Sequence, residues 1–506
     1  MPRFKPTNYH QIKMIPVDFK SQLSPGTFEH TLDYLIEEQL DLSIFNHRYN
    51  NDQTGASAYD PKILLKIVLL AYSRGVTSSR QIEQHCRENI IFIAISCDSQ
   101  PHFTTIADFI SKLPMEIETI FRDVLMICDD LGLIGKQMFA IDGCKLPSNA
   151  SKEWSGTRKH FEEKKSKMEK VIRRIISKHR EEDSDDQSPP PADQRKREEQ
   201  QIETIKRKAK KYKQWLQANK DKPGKRKRAL QSNITDNDSA KLESSRGVIQ
   251  GYNALAISDD KHQIIVSADA VGRNDERPSL IPMVEKTRDN FPKDPFKTAK
   301  LAGDSGFCEE ANLKYLADNR IDGYITDLRF RKRDKRFDKA KRYYPKERRK
   351  TSDKFQPNDF IVDPEAETVT CPAGKQMWLK SRNPKTYGIP AMQFQAHVAD
   401  CRQCRFRRRC LRNENQKSAR QFVWFKTHLP EHQTYTKRMQ KKIDTEEGRY
   451  EYSKRLAVIE PVFGNIASTL RLSRFSLRGK VKVTAQWLAF CLVHNIGKLQ
   501  KYGVAY

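Results

Sequence analysis

The sequence lacks any long apolar run. Its longest apolar stretches, residues 64–72 and 487–493, are far shorter than the roughly 20 residues that cross a bilayer. The ten cysteines are scattered from Cys86 to Cys491, without the dense spacing of a disulfide framework. The first residues are polar, so no secretory signal is expected. These absences argue against a membrane-embedded protein and against a secreted protein stabilised by disulfides. They predict a cytoplasmic protein.

Positive charge is in excess. The chain has 93 Lys and Arg against 65 Asp and Glu, a formal net charge of +28. A surplus of this size favours nucleic acid as the partner. Binding to a membrane surface is the weaker alternative, because no long basic helix carries a matching aromatic face. A length of 506 residues predicts about two to four domains.

The first 135 or so residues read as helical. Pro61 stands in a first-turn position before an apolar run that ends at Arg74 and Gly75. Residues 77–79 can cap a second short helix, and residues 104–113 give a third. This spacing suits a helix-turn-helix module but also ordinary helical packing, and the pattern leaves both open.

Strand and helix patterns alternate after residue 136. The patterns predict a strand at residues 137–146, a hairpin at 251–268 and a helix at 275–290. A strand at 297–304, a helix at 309–319 and a strand at 322–327 follow. This order predicts an RNase-H-like α/β core. Two charged helical stretches, about residues 157–182 and 194–220, interrupt it as a helical hairpin. Tyr212 and Trp215 lie among basic residues there and favour contact with a DNA backbone over a merely solvated face.

Three acidic residues stand on otherwise apolar segments: Asp142, Asp304 and Glu460. A carboxylate in such a place is costly unless it binds something positive. Two-metal phosphoryl transfer needs such carboxylates, to hold two Mg²⁺ or Mn²⁺ ions about 3.5–4 Å apart. Asp142 and Asp304 are expected on neighbouring strands. Glu460 should come from a helix that kinks or restarts there, because Pro461 disfavours helical geometry in the residue before it.

Four further cysteines lie in an irregular basic region: Cys371, Cys401, Cys404 and Cys410. The Cys401-x-x-Cys404 spacing is typical of metal ligands, and the other two thiols would complete a zinc site. Free cysteines are the alternative. Residues 402–409 contain five arginines, so this region also suits contact with DNA phosphates.

The acidic motifs resemble those of the DDE transposases of bacterial insertion sequences, in the branch with an N-terminal helical domain. The resemblance covers most of the chain. Its segments are Asp-Gly-Cys-Lys-Leu-Pro-Ser-Asn-Ala at residues 142–150, Gly-Asp-Ser-Gly-Phe at 303–307, and Glu-Pro-Val-Phe-Gly at 460–464. Ser305 and Ala467 stand where related sequences commonly have lysine.

The resemblance implies roles for particular residues. The catalytic, metal-binding acids would be Asp142, Asp304 and Glu460, and the contacts to the DNA ends would be Lys145, Tyr452, Arg455 and Asn465. It implies a transposase that binds the terminal inverted repeats of its element and joins them to target DNA, as a homodimer or larger assembly on the bacterial nucleoid. A catalytically inactive DNA-binding derivative and an RNase-H-like metal-dependent nuclease are the alternatives.

The expected fold class is therefore α/β, an RNase-H-like core with an N-terminal all-α domain and two insertions. The predicted domains are residues 1–135 (helical, DNA-binding), 136–150 with 246–328 (core), 151–245 (charged helical hairpin), 329–445 (basic, Cys-containing) and 446–506 (C-terminal part of the core with Glu460).

Overall fold

The computed structural model describes residues 18–49, 57–183, 192–224, 229–244, 247–337, 354–363, 365–386, 389–413, 415–426 and 434–503. Two compact units make up the chain. The first combines Met1–Leu301 with Lys454–Tyr506, and the second is Ala302–Ser453. Within the described ranges, no helix is both long and apolar enough to cross a membrane.

The first unit begins with short helices. They are α1 (Phe19–Gln22), α2 (Phe28–Tyr34), α3 (Pro61–Ser73), α4 (Ser79–Glu88), α5 (Ile90–Ile95), α6 (Phe103–Lys112) and α7 (Ile117–Asp130). In α3, Pro61 occupies the first turn, and the Asp60 side chain accepts a hydrogen bond from the Lys62 backbone N–H at 2.8 Å. The predicted helix over residues 61–73 is confirmed, as is the helical character of this region.

A sheet and a helical hairpin follow. The elements are β1 (Met138–Pro147), β2 (Ser155–Gly156), α8 (Arg158–Asp183), α9 (Ala192–Ala218), β3 (Ser232–Asn233), β4 (Ala240–Ser244), β5 (Gly247–Asp259), β6 (Ile265–Val271), α10 (Leu280–Asp289) and β7 (Lys300–Gly303). The long strand β5 pairs antiparallel with β1 along one edge, and with β4 and then β6 along the other. The backbone N–H of Lys300 donates to the carbonyl of Gln137 at 2.9 Å, so β7 starts beside β1.

The second unit holds a helical part and a separate small sheet. Its elements are α11 (Glu310–Asp318), β8 (Gly323–Ile325), α12 (Phe330–Arg333), β9 (Ile361–Asp363), β10 (Thr368–Thr370), β11 (Gln376–Ser381), β12 (Lys385–Thr386), β13 (Ile389–Gln395), α13 (Val398–Arg402), α14 (Arg407–Cys410), β14 (Gln421–Phe425) and α15 (Tyr435–Asp444). The small sheet has the order β12-β13-β11-β10-β9, with β14 also paired to β13.

Two helices complete the chain. Helix α16 (Glu446–Gly464) crosses from the second unit into the first, and α17 (Lys480–Tyr502) lies in the first. Helix α17 is buried along most of its length and packs against α2, α3, α7 and β6. Its Trp487 indole N–H donates to the Leu255 carbonyl of β5 at 2.8 Å, and Phe490 stacks on Tyr72 of α3. The core of the first unit therefore lies around α17.

The helix does not restart at Glu460, because α16 continues through Pro461 to Gly464. The alternative, a kink at this point, stays a prediction. A proline inside a helix leaves the carbonyl four residues earlier without its N–H partner. Here that carbonyl, of Ala457, accepts a hydrogen bond from the Gln263 side chain at 3.1 Å. The next carbonyl, of Val458, accepts one from the Ser258 hydroxyl at 3.2 Å. Side chains from the β5–β6 hairpin thus replace the lost bond.

Tyr212 and Trp215 do not lie on the exposed surface of the α8–α9 hairpin, and the predicted contact of this basic hairpin with a DNA backbone stays a prediction. Both side chains are almost fully buried and form an apolar cluster with Phe161 at the base of the α8–α9 hairpin. Trp154 stacks on Tyr212. These aromatic residues instead hold α8 against α9.

A buried polar network joins the segment directly after α16 to α17. The His494 Nε2 lies 2.9 Å from the Gln263 carbonyl, and its Nδ1 lies 2.9 Å from the Asn465 side-chain nitrogen. The carbonyl can only accept, so Nε2 carries the proton and Nδ1 accepts from Asn465. Burial lowers the pKa of His494 to about 4. The imidazole is therefore neutral, with both nitrogens satisfied.

We predict an acid-sensitive core from this histidine. The folded pKa lies below the ordinary value of 6.5, so the unfolded chain binds the proton first as the pH falls. Between pH 6.5 and 5, His494 should lower the free energy of unfolding by about 2 kcal/mol. Urea unfolding monitored by tryptophan fluorescence at both pH values measures this loss.

The matched variants are His494→Gln, which cannot titrate, and His160→Gln on the exposed surface of α8. His494→Gln should flatten the pH dependence, whereas His160→Gln should leave it unchanged. Equal pH dependence in all three proteins would disprove the assignment.

Candidate active site

Asp142 lies in the middle of β1, opposite Ala256 of β5. The residues before it, from Met138 to Ile141, are buried and apolar, and the Asp142 side chain is 19% exposed. Its Oδ1 accepts the backbone N–H of Gly143 at 2.8 Å. The carboxylate is therefore held in place at the edge of the core.

Arg455 of α16 supplies the positive partner that this carboxylate needs. Its Nη1 donates to Asp142 Oδ2 at 2.6 Å, and its side chain is only 9% exposed. A buried arginine facing a partly buried carboxylate forms a strong charge-assisted hydrogen bond. Helix α16 is thereby fixed over β1 at the position of Asp142.

Gly143 has no space for a side chain. A Cβ built there would lie 2.7 Å from the Asn253 Oδ1 and 2.8 Å from a Leu255 methyl group, both on β5. Asn253 donates through Nδ2 to Glu276 at 2.8 Å, while its buried Oδ1 has no partner in the described part of the chain. Glycine after Asp142 is therefore required by the close approach of the neighbouring strand.

Glu460 lies elsewhere on α16. It follows Arg455 by five residues, which places it about 140° around the helix. Its side chain is exposed and makes no hydrogen bond or ion pair with any described residue, whereas Val458, Ile459 and Val462 are buried. Asp142 is thus joined to Arg455, and Glu460 is directed to solvent.

Asp304 directly follows β7, in the second unit. Its Oδ1 accepts the backbone N–H of Gly306 at 2.7 Å, which closes the turn through Ser305. The predicted position at the end of a strand is confirmed. The glycine of the Asp-x-Gly motif supplies the N–H that orients this carboxylate.

The four predicted DNA contacts have different environments. Lys145 on β1 donates to the Glu243 carbonyl at 2.9 Å, and Asn465 belongs to the buried network with His494. Within the second unit, the Tyr452 hydroxyl accepts from Thr326 at 3.2 Å. Arg455 pairs with Asp142. Sequence reasoning missed this ion pair, although an arginine about one and a half helical turns before a motif glutamate is a signal that could have indicated it.

The donor chemistry at Asp142 fits a hard divalent cation, because carboxylate oxygens are the ligands that Mg²⁺ and Mn²⁺ prefer. Arg455 already donates to Oδ2, so a cation at this carboxylate would share it with the guanidinium. Across the described ranges, no group of three or more His, Cys, Asp and Glu side chains is already arranged to hold a metal ion.

Comparison with known families gives two matches. A model described as a transposase domain matches residues 17–112. A model described as a transposase DDE domain matches residues 370–500, which include Arg455 and Glu460. Together they support a DDE transposase of an insertion sequence, and the predicted resemblance is confirmed. No curated protein and no solved structure matches the chain.

We predict measurable coupling between Asp142 and Arg455. Removing the charge of either partner leaves the charge of the other buried and unpaired, whereas removing both charges leaves no unpaired charge. In a double-mutant cycle of Asp142→Asn and Arg455→Gln, unfolding free energies should give a coupling of about 1–3 kcal/mol, reduced from fully buried pairs because Asp142 is partly exposed. Strict additivity of the two single changes would contradict the ion pair.

Proposed function

We propose that this protein is a catalytically active transposase. It would bind the inverted ends of its element, cleave the DNA to expose 3′-hydroxyls, and join these to target DNA, as a homodimer or larger assembly on the bacterial nucleoid in the cytoplasm. The observation that carries the proposal is the Asp142–Arg455 ion pair. It links the first acidic motif directly to the segment matched by the DDE model.

The catalytic core in this proposal is RNase-H-like, built around β1, β5 and β6. Its three carboxylates are Asp142, Asp304 and Glu460. Two Mg²⁺ or Mn²⁺ ions bound to them would activate the attacking oxygen and stabilise the charge on the leaving oxygen. The backbone of the protein positions the two aspartates. Gly143 and Gly306 orient the two aspartates through backbone N–H groups.

Two observations support Glu460 as the third catalytic carboxylate: the motif in which it stands and the exposure of its side chain. An exposed carboxylate on α16 is accessible to DNA and to a metal ion, and the matched DDE region contains it. Its function therefore depends on α16 and the DNA assembling around the same ions. The other acids of α16 provide an internal comparison, because Glu446 is equally exposed on the first turn of the helix.

We predict that Asp142→Asn, Asp304→Asn and Glu460→Gln each reduce Mg²⁺-dependent cleavage by at least about 100-fold. The substrate is DNA carrying the terminal repeats that flank the gene. Binding of these ends, measured by gel shift, should remain within about twofold, because each change is isosteric and removes only charge.

The control variants are Glu243→Gln on β4 and Glu446→Gln on α16, which remove exposed carboxylates from the same sheet and helix. Both should cleave normally. Full activity of Asp142→Asn would refute the catalytic assignment. Full activity of Glu460→Gln alone would show that the third carboxylate lies elsewhere.

Arg455 should compete with the metal for Asp142, since both positive groups need the same oxygen. Arg455→Gln should therefore bind Mn²⁺ about tenfold more tightly without DNA, equivalent to 1.4 kcal/mol. Electron paramagnetic resonance of free Mn²⁺ measures this directly. Arg449→Gln, one and a half turns earlier on α16, is the control and should leave the affinity unchanged. Unaltered binding in Arg455→Gln would rule out competition.

Two alternatives predict different results. A catalytically inactive DNA-binding derivative would bind the ends but not cleave them in Mg²⁺ or Mn²⁺. An RNase-H-like nuclease would cleave but leave the 3′-hydroxyls unjoined to a target plasmid. A strand-transfer assay with labelled ends separates all three functions.

A further inference from the structure

Four cysteines that are distant in sequence line one cavity in the second unit. Cys371 follows β10, Cys401 and Cys404 flank the end of α13, and Cys410 ends α14. The cavity has a volume of about 30 Å³, roughly that of one water molecule. All four cysteines are free thiols. The fold thus gathers four soft ligands around a space that suits a single ion.

The backbone presents these thiols from tight turns. At Cys371, the N–H donates to the Lys375 carbonyl at 2.9 Å, and the carbonyl accepts from Gly374 at 2.8 Å. Gly374 has a φ of 75°, which favours glycine. A second turn begins at Cys404, whose carbonyl accepts the Arg407 N–H at 3.0 Å. Short turns of this kind fix the direction of a cysteine side chain without a long helix or strand.

Arginines surround the cavity and favour negative charge inside it. Arg407 donates to the Cys401 carbonyl at 2.6 Å, and Arg420 donates to the Cys410 carbonyl at 3.1 Å. Both side chains line the cavity. Four thiolates around a divalent ion carry a net charge of −2, which nearby guanidinium groups offset.

The hydrophobic core beside the cavity is small. Among the described residues it has eight buried members, including Val369, Met377 and Phe394, and Cys371, Cys401 and Cys410 pack against it. A core of this size stabilises a short-stranded sheet only weakly, and small folds commonly add a metal or disulfides. No disulfide provides this here, because the thiols are free.

We propose that Cys371, Cys401, Cys404 and Cys410 bind one structural Zn²⁺ ion. Four sulfur ligands at about 2.3 Å in tetrahedral arrangement are typical of closed structural zinc sites. All four thiols line the cavity, but within the described ranges no three of them are already arranged to hold a metal ion, so zinc binding would require their side chains to turn toward it. Each thiol releases its proton when it binds.

The ion would connect three parts of the second unit. It joins the turn after β10 to α13 and α14, and so fixes the arginines at residues 402–409 relative to the small sheet. This is a structural role, independent of the metal ions proposed at Asp142. Its test therefore needs neither DNA nor Mg²⁺, and either proposal can fail without the other.

The test is the zinc content of the full-length protein, purified without chelator and measured by mass spectrometry. We expect one zinc ion per chain. Cys404→Ser should lose most of it, by more than about tenfold in affinity. Cys97→Ser is the control, since Cys97 is an exposed free thiol in the helical N-terminal region; it should retain all the zinc.

A second measurement uses only the wild-type protein, so it does not depend on whether the Cys404→Ser variant folds. Zinc removed from the wild type should be replaceable by Co²⁺, with the intense visible absorption of tetrahedral thiolate coordination. Wild-type protein that contains no zinc and gives no such spectrum would overturn the proposal. Iron in place of zinc, or equal loss in Cys97→Ser, would overturn it as well.

Discussion

The burial of α17 is the constraint on which the first unit depends. This helix is apolar on almost every side, and its neighbours come from both the N-terminal helices and the sheet. Asn495 of α17 pairs with the backbone of Ile265 on β6. Its Oδ1 accepts the Ile265 N–H and its Nδ2 donates to the Ile265 carbonyl, both at 2.9 Å. Without α17, neither the helices nor that face of the sheet would have an interior.

The candidate site is built on the same side of the sheet. Asp142 and Ser258 point toward α16, which crosses the strands beside α17 and contributes Arg455. The ion pair stabilises the packing of α16 and at the same time holds the carboxylate that the proposed chemistry requires. In the proposed function, one carboxylate would thus serve both the stability of the fold and the chemistry.

Local signals in the sequence predicted local structure well. Pro61 and its flanking residues defined α3, and the apolar run around Asp142 defined β1. Contacts between residues distant in sequence were not predicted. The proline at 461 does not break its helix because Gln263, nearly two hundred residues earlier, bonds the freed carbonyl. Tyr212 lies in a basic sequence but is buried by contacts across the hairpin. No spacing rule reveals such partners.

The position of α17 in the chain also affects synthesis. Helix α3 exposes its apolar face until residues 480–502, its partners, have left the ribosome. At about 5–20 residues per second, that interval lasts tens of seconds. During this time the part of α3 that α17 covers in the folded chain stays exposed, although α2, α4, α5 and α6 can already pack against the rest of it. Such a chain is a natural client for chaperones, and a premature stop before α17 would leave an aggregation-prone fragment rather than a partly functional protein.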